Sequence, residues 1–263
     1  MILQGAEASL CLGIHVPLNI VFIATLQDLK KGQSACESFL ESGRSSQLNV
    51  LIYNAAVMNI PTPEQTAQGF EMQLAINYLE HFLLFWLLKD AMLKASRATG
   101  SCSRLVNVSS SGHYASEIVF DDFQLNHRYD PAKAYEQSKL AQIYMANYVD
   151  RTFSPSGIHA LSLMPGGIAT NPQKHMPLEV RERWKTNPMI WNFMKSPEQG
   201  AATTILAAIG KEWDGKGGKY LEDCQVAALQ PLIPGVKGVK EYAYDEGKEN
   251  KLWEITLQTL RLS

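Results

Sequence analysis

The feature that most constrains the fold of this chain is the alternation of short apolar runs with longer segments of helical periodicity. The apolar runs occupy residues 19–25, 48–53, 104–108, 159–164 and 218–220. Short runs that are apolar throughout are typical of strands in a parallel sheet, because both faces of such a sheet are buried. Alternation with helices indicates a layered α/β fold. We therefore expect an α/β fold with a mostly parallel sheet.

Three segments between these runs predict helices. Residues 34–41 and 70–94 carry apolar side chains at helical spacing. A third helix is predicted to begin at Asp130, because aspartate is a favoured N-cap and Pro131 would occupy the first helical position. We expect that helix to run through Tyr135 to about Asp150.

Composition limits the organisation of the chain and its partners. With 263 residues, 46% of them hydrophobic and 19% charged, the chain can bury one sizeable core, and we expect a single domain over residues 1–263. The formal net charge of −2 gives no electrostatic attraction to polyanions, so we expect no nucleic-acid partner. No metal site is expected either, since the four cysteines lack the spacing of metal ligands. They are Cys11, Cys36, Cys102 and Cys224.

The first 24 residues are apolar enough to suggest a signal peptide. They have no basic region, however, and Glu7, His15, Pro17 and Asn19 interrupt the hydrophobic run. We therefore expect a cytoplasmic protein without a membrane partner.

Tyr135 and Lys139 are a candidate catalytic pair. Four residues apart on one helix, they project from the same face, where an ammonium group favours ionisation of a phenol. Tyr129 and Lys133 have the same spacing, but Tyr129 precedes the N-cap and Pro131 breaks the helical register. The spacing alone is also typical of an ordinary contact on a helix surface.

Three serines, Ser109 to Ser111, follow the run at residues 104–108. The carboxyl ends of parallel strands are where open α/β folds carry their reactive groups, and a hydroxyl there can hold a substrate oxygen. A polar turn that merely ends the strand is the alternative interpretation.

Four motifs together resemble the short-chain dehydrogenase/reductase family in order and spacing. They are residues 54–56 (Asn-Ala-Ala), 106–110 (Val-Asn-Val-Ser-Ser), 134–139 (Ala-Tyr-Glu-Gln-Ser-Lys) and 165–170 (Pro-Gly-Gly-Ile-Ala-Thr). The resemblance covers residues 27–257, and the 25-residue interval from Ser110 to Tyr135 resembles the retinol-dehydrogenase-like branch and its fungal relatives. It implies a Rossmann-like parallel sheet with helices on both faces.

The resemblance implies roles for four catalytic residues. Tyr135 would donate or accept the proton, and Ser110 would hydrogen-bond to the substrate oxygen. Lys139 would lower the pKa of Tyr135 and bind a ribose hydroxyl of the cofactor. Asn77 would contribute to a proton relay.

The resemblance also implies NADP or NAD as cofactor. Asp28 would lie near the adenine, Ile168 and Thr170 would meet the nicotinamide carboxamide, and Tyr135 and Lys139 would also contact the cofactor. Asn54 belongs to a cofactor-binding motif in which Tyr53 and Ala56 replace an asparagine and a glycine of the family pattern. The alanine affects how closely the cofactor can approach the backbone.

Before Asp28 the glycines are Gly5 and Gly13, too far apart to form the glycine-rich turn that binds a dinucleotide pyrophosphate. By the resemblance, the first strand, its helix and the second strand are missing, so we expect an N-terminally truncated version of the fold. Residues 19–25 are then predicted to pair directly with residues 48–53, covering the strand edge that would otherwise be exposed.

Three functions stay open. The first is an NAD(P)H-dependent oxidoreductase acting on a carbonyl or secondary alcohol. Residues 175–196 are rich in Met and Trp, and by the resemblance this segment forms the substrate lid, so its small-molecule substrate would be apolar, such as a secondary metabolite. The alternative is an ordinary amphipathic helix that packs on the core. The second is a cofactor-independent isomerase, dehydratase or cyclase that uses Tyr135, Ser110 and Lys139. The third is a non-catalytic scaffold. The resemblance is also compatible with a homo-oligomer.

Overall fold

The computed structural model describes residues 2–3, 20–23, 29–41, 47–168, 179, 182, 187, 194–229 and 237–262. Its strands are β1 (Ile2–Leu3), β2 (Ile20–Ile23), β3 (Val50–Tyr53), β4 (Ser103–Val108), β5 (Ile158–Met164), β6 (Gly167–Ile168), β7 (Met194–Lys195), β8 (Lys219–Glu222) and β9 (Gln225–Val226). Its α-helices are α1 (Leu29–Glu41), α2 (Met72–Leu74), α3 (Glu80–Thr99), α4 (Pro131–Phe153), α5 (Pro197–Ile209) and α6 (Glu246–Leu260).

The main sheet has the order β1-β2-β3-β4-β5-β8-β9. Neighbours from β2 to β8 in this order run parallel, while β1 and β9 pair antiparallel at the two edges. The prediction of a mostly parallel sheet is confirmed. The predicted pairing near the N-terminus is also confirmed, since Ile20–Ile23 pairs with Val50–Tyr53 in parallel.

Both faces of the sheet are buried under helices, as expected. Val50, Ile52 and Val106 belong to a core cluster with Ala207 of α5 on one face. Leu51, Tyr53 and Leu105 alternate with them and pack on the opposite face with side chains of α1, α3, α4 and α6. This alternation with period two explains why the strands read as continuous apolar runs.

Helix α4 begins as the sequence predicts. Asp130 is its N-cap, and its Oδ1 accepts a hydrogen bond from the backbone N–H of Lys133 at 2.8 Å. Pro131 follows in the first turn, where a missing N–H costs nothing. The helix ends at Phe153, one turn beyond the predicted end at about Asp150.

The helix predicted over residues 70–94 is longer and interrupted. It begins with α2, passes through a π-helical segment at Ala75–Leu79, and continues as α3 to Thr99. Gly100 ends it with a φ of +68°, a left-handed conformation that glycine adopts without strain. Apolar periodicity does not reveal a single π-turn, because one inserted residue shifts the helical face without breaking it.

Helix α6 closes the sheet face that carries α3 and α4. Trp253 stacks on Tyr148 of α4 with ring centroids 4.0 Å apart, and it meets Phe82 of α3 edge-on at 4.6 Å.

Within the described ranges, no helix has both the length and the apolar character needed to cross a membrane. The same residues contain no cluster of His, Cys, Asp and Glu side chains that could bind a metal ion.

Candidate active site

The site begins where β4 ends. Ser109 is tied into the fold, because its backbone N–H donates to the carbonyl of Leu163 at 2.7 Å and its hydroxyl donates to the carbonyl of Lys139 at 2.6 Å. Ser110 instead caps a short 3-10 helix, Ser111–Tyr114, and its Oγ accepts a hydrogen bond from Gly112 N–H at 3.1 Å. The hydroxyl of Ser109 is thus bonded to helix α4, whereas the hydroxyl of Ser110 lies in the turn at the carboxyl edge of the sheet.

Tyr135 lies against this turn. Its ring and the Ser110 Oγ both approach Gly112. A Cβ atom placed on Gly112 would lie 3.1 Å from Cε1 of Tyr135, so the glycine leaves room for the aromatic ring. Burial raises the pKa of Tyr135, and the hydrogen bond from Ser110 opposes that rise. The phenol therefore holds its proton more firmly than a free tyrosine.

Lys139 lies one turn further along α4 and is almost completely buried. Its Nζ is 5.7 Å from the centre of the Tyr135 ring and donates to the carbonyl of Val108 at 2.9 Å. Burial lowers the pKa of Lys139 to about 7. Burial thus favours the neutral form of both groups, since it lowers the pKa of Lys139 and raises the pKa of Tyr135.

Asn77, the fourth predicted catalytic residue, lies in the π-helical segment Ala75–Leu79. Its Nδ2 donates to the carbonyl of Val57 and to the hydroxyl of Ser138, both at 2.9 Å, and its Oδ1 accepts from Val57 N–H at 2.8 Å. Ser138 in turn donates to the carbonyl of Tyr135 at 2.7 Å. The structure thus brings Ser110, Tyr135 and Lys139 together, while the Asn77 side chain joins the segment after β3 to helix α4.

Besides Tyr135 and Lys139, two of the predicted cofactor residues lie in the described part of the chain. Asn54 is exposed directly after β3, at the same sheet edge as Ser110. Ile168 lies in β6 and packs on α5, where a Cβ atom on Gly200 would be 2.0 Å from its Cδ1. Asp28 and Thr170 lie outside the described residues, as does most of the segment predicted to form a lid.

The donor groups at this edge fit the ribose and nicotinamide half of a dinucleotide. The Lys139 ammonium has three protons, and within the described part of the chain it donates only to Val108. Its remaining protons and the phenol of Tyr135 are of the kind that binds sugar hydroxyls. Asp28, the residue expected near the adenine, lies outside the described residues.

A cleft of about 460 Å³ opens beside the turn between β5 and β6. Met164 and Met194 contribute apolar surface, and Lys195 spans the cleft from Pro165, whose carbonyl it contacts at 3.3 Å, to Asp223 at 2.5 Å. The described lining is therefore mixed, with apolar and charged groups.

Sequence reasoning missed a buried polar cluster beneath Lys139. The ring of His81 stacks on Tyr53 with centroids 4.5 Å apart, and its Nδ1 lies 2.5 Å from Nε2 of Gln142. Gln142 Nε2 also donates to the carbonyl of Asn77. Burial and the charge of Lys139 lower the pKa of His81 to about 3, so its imidazole is neutral. The signal in the sequence was the three-residue spacing of Lys139 and Gln142, which places both side chains on one face of α4.

Sequence reasoning also missed His113, which is fully buried three residues after Ser110. Its Nδ1 lies 2.6 Å from the carbonyl oxygen of Ser110. The only signal in the sequence was a histidine close behind the serine motif.

Comparisons with known proteins agree with this arrangement. The chain is 44% identical over 265 residues to the short-chain dehydrogenase/reductase prx1 of Penicillium roqueforti, which covers 90% of this chain and 77% of that protein. It is 34% identical over 231 residues to retinol dehydrogenase 14 of Mus musculus, covering 88% and 64%. No protein-family model matches the chain.

Solved structures share the fold. An uncharacterized protein from Mycobacterium paratuberculosis superposes with a TM-score of 0.63 at 26% identity, covering 90% of this chain and 74% of that one. The Pseudomonas aeruginosa RhlG/NADP complex superposes with a TM-score of 0.55 at 18% identity, covering 74% and 71%. At this lower identity the likeness concerns the fold alone.

A parallel sheet with a serine, a tyrosine and a lysine at the carboxyl end of its central strand defines a Rossmann-like protein of the dehydrogenase type. The chain belongs to the short-chain dehydrogenase/reductase family, in the branch of the retinol dehydrogenases and their fungal relatives. It is an oxidoreductase of that type.

Proposed function

We propose that the protein transfers a hydride between a nicotinamide dinucleotide and the carbonyl or secondary-alcohol carbon of a small apolar molecule, with Tyr135 as the acid or base. The observation that carries the proposal is that the Ser110 side chain and the Tyr135 ring both lie against Gly112, with Nζ of Lys139 5.7 Å from the centre of that ring.

In the direction of reduction, Ser110 donates a hydrogen bond to the substrate oxygen, and Tyr135 gives that oxygen its phenolic proton. A raised pKa keeps this proton on Tyr135 in the free enzyme, which suits a proton donor. Lys139 stabilises the phenolate that forms and, through its remaining ammonium protons, binds a ribose hydroxyl.

The cofactor, NADP or NAD, supplies or accepts the hydride when bound. Lys139, with Tyr135, would hold its ribose, Ile168 would meet the nicotinamide carboxamide, and Asn54 would belong to the motif that the cofactor approaches closely. Asp28 at the adenine and Thr170 at the carboxamide complete the proposed set by family resemblance.

An apolar substrate is proposed because the sequence between Thr170 and α5 is rich in methionine and tryptophan. Such side chains make adaptable apolar walls, which suit a flat or flexible organic molecule such as a secondary metabolite. The methionines of the neighbouring cleft, Met164 and Met194, extend the same surface.

The test is reduction of a panel of aromatic and alicyclic ketones with NADPH and with NADH, comparing wild type with Tyr135→Phe. We expect the variant to lose at least about 100-fold in kcat, since it keeps the ring but has no transferable proton. Tyr129→Phe is the matched control. It belongs to a Tyr-x-x-x-Lys sequence of the same spacing but precedes α4, and its hydroxyl donates to the carbonyl of Ile60 at 2.7 Å.

Three outcomes would contradict the proposal. Equal activity of the wild type and Tyr135→Phe would remove the tyrosine from the reaction. Equal loss in Tyr129→Phe would point to a general structural effect of removing a phenol. Tyr135-dependent turnover of an enolisable substrate without any nucleotide would favour the cofactor-independent isomerase, dehydratase or cyclase instead.

A further inference from the structure

The 3-10 helix after Ser110 carries a histidine whose side chain returns to the serine. The ring of His113 is 0% exposed, and its Nδ1 lies 2.6 Å from the carbonyl oxygen of Ser110. The backbone N–H of His113 donates to the same oxygen at 3.2 Å. Because a carbonyl oxygen can only accept hydrogen bonds, Nδ1 must carry a proton.

The surroundings of the ring hold it in this orientation. The carbonyl of His113 accepts a hydrogen bond from the hydroxyl of Tyr242 at 2.7 Å, and the ring of Tyr220 lies against the imidazole with centroids 4.9 Å apart. Nε2 of His113 and the hydroxyl of Tyr220 are both buried without a hydrogen-bond partner in the described part of the chain. The contact that fixes the side chain is therefore the one from Nδ1.

The electrostatics of the ring agree with a single proton on Nδ1. Burial is the main cause that lowers the pKa of His113 to about 4, the charge of Lys240 acts in the same direction, and the hydrogen bond to Ser110 opposes both. The imidazole is thus neutral near pH 7, with Nδ1 as its donor and Nε2 as a free acceptor.

The two hydrogen bonds from His113 fix the peptide group of Ser110, and with it the direction of the serine side chain. The Ser110 hydroxyl also accepts from Gly112 N–H at 3.1 Å and lies against the same glycine as the ring of Tyr135. A rotation of the Ser110 peptide would move the hydroxyl away from both. A displacement of about 1 Å at a reacting group can cost about 100-fold in rate.

We propose that His113 is a positioning residue, which anchors the carbonyl of Ser110 through Nδ1 and thereby holds the Ser110 hydroxyl against Tyr135 and the substrate oxygen. The inference rests on the proposed function for the catalytic role of Ser110. His113 itself makes no contact with the substrate in this proposal.

The test compares two substitutions that separate the hydrogen bond from the packing. His113→Asn keeps an N–H donor at the position of Nδ1 but loses the ring, whereas His113→Phe keeps a ring against Tyr220 but loses the donor. We expect His113→Phe to lose at least about tenfold in kcat with little change in KM, and His113→Asn to stay within about threefold of the wild type. A role in packing alone would reverse this order and would overturn the proposal.

A second measurement does not depend on activity. Long-range 1H–15N correlation spectra of the histidine rings distinguish the two tautomers, and the signals of His113 are identified as those missing in His113→Asn. We expect the Nδ1–H tautomer at pH 7. The Nε2–H tautomer would overturn the anchor whatever the activities of the two variants. Failure of the wild type to reduce any ketone would instead overturn the proposed function, while the tautomer would still decide the contact with Ser110.

Discussion

The ammonium of Lys139 is buried among groups that cannot compensate its charge fully. It donates to the carbonyl of Val108, and the imidazole of His81 nearby is neutral. Burial therefore lowers the pKa of Lys139 to about 7, far below the ordinary value for a lysine. Its burial in the protonated form therefore has a cost in stability.

This cost predicts a dependence of stability on pH. The unfolded chain keeps the proton on Lys139 up to about pH 10.4, whereas the folded protein loses it near pH 7. Between these values the unfolded state binds more protons, so a rise in pH favours the folded state at this residue. We expect the free energy of unfolding of Lys139→Met to exceed that of the wild type most at pH 7 and below, and the difference to shrink towards pH 10.

Urea unfolding at several pH values measures this difference. Lys133→Met, at an exposed position on the same helix, controls for the loss of a lysine charge. A difference between Lys139→Met and the wild type that stays constant from pH 7 to pH 10 would show that Lys139 keeps its proton in the folded protein.

At the scale of elements, the π-helical segment and α4 hold each other through polar side chains. Gln142 of α4 donates to the carbonyl of Asn77 in the π-helical segment, and it also contacts His81. Asn77 reaches back to Ser138 on α4. These contacts fix the turn of α4 that carries Tyr135 and Lys139 relative to the sheet.

The turn between α4 and β5 sets where β5 begins. Gly157 has a φ of +98°, and a Cβ atom there would lie 2.1 Å from the hydroxyl oxygen of Ser96 at the end of α3. Gly157→Ala should therefore destabilise the protein by about 2–4 kcal/mol, of which about 1 kcal/mol comes from the left-handed backbone and the rest from overpacking. Urea unfolding provides the measurement.

Gly69 is the matched control for this substitution. Its φ is +81°, but a Cβ atom there would meet nothing within 4 Å. Gly69→Ala should cost about 1 kcal/mol, which is the backbone contribution alone. Equal effects of the two substitutions would mean that α3 gives way to the added methyl group.

At the scale of the whole molecule, the distribution of glycines affects cofactor affinity. The sequence before Asp28 has no glycine-rich turn of the kind that binds a pyrophosphate through backbone N–H groups. We therefore expect this chain of 263 residues to bind NADPH weakly and to bind reduced nicotinamide mononucleotide within about tenfold of the same affinity, a difference of about 1.4 kcal/mol. Titration followed by nicotinamide fluorescence gives both dissociation constants.

Two results of this titration would contradict the expectations, each a different one. Binding of NADPH several hundredfold tighter than the mononucleotide would mean that other residues of the chain bind the adenosine and phosphate groups. Absence of binding at millimolar concentrations of either molecule would contradict the proposed redox function.

The sequence by itself determined the layered architecture and the position of the reactive residues. The apolar runs gave the parallel strands because both sides of each strand are buried, and Asp130 with Pro131 fixed the start of α4, on which Tyr135 and Lys139 must share a face. The pairing of the N-terminal strand with β3 also followed, since an uncovered strand edge is unfavourable.

Only the tertiary structure decided the protonation and orientation of those residues. The pKa values of Tyr135 and Lys139 depend on how much protein surrounds them, and burial comes from distant parts of the chain that local spacing does not describe. For the same reason, the contact of His113 with Ser110 depends on the 3-10 turn and on Tyr220 and Tyr242 more than a hundred residues away. Local patterns specify which groups are present at the site, whereas long-range packing specifies their charge and direction.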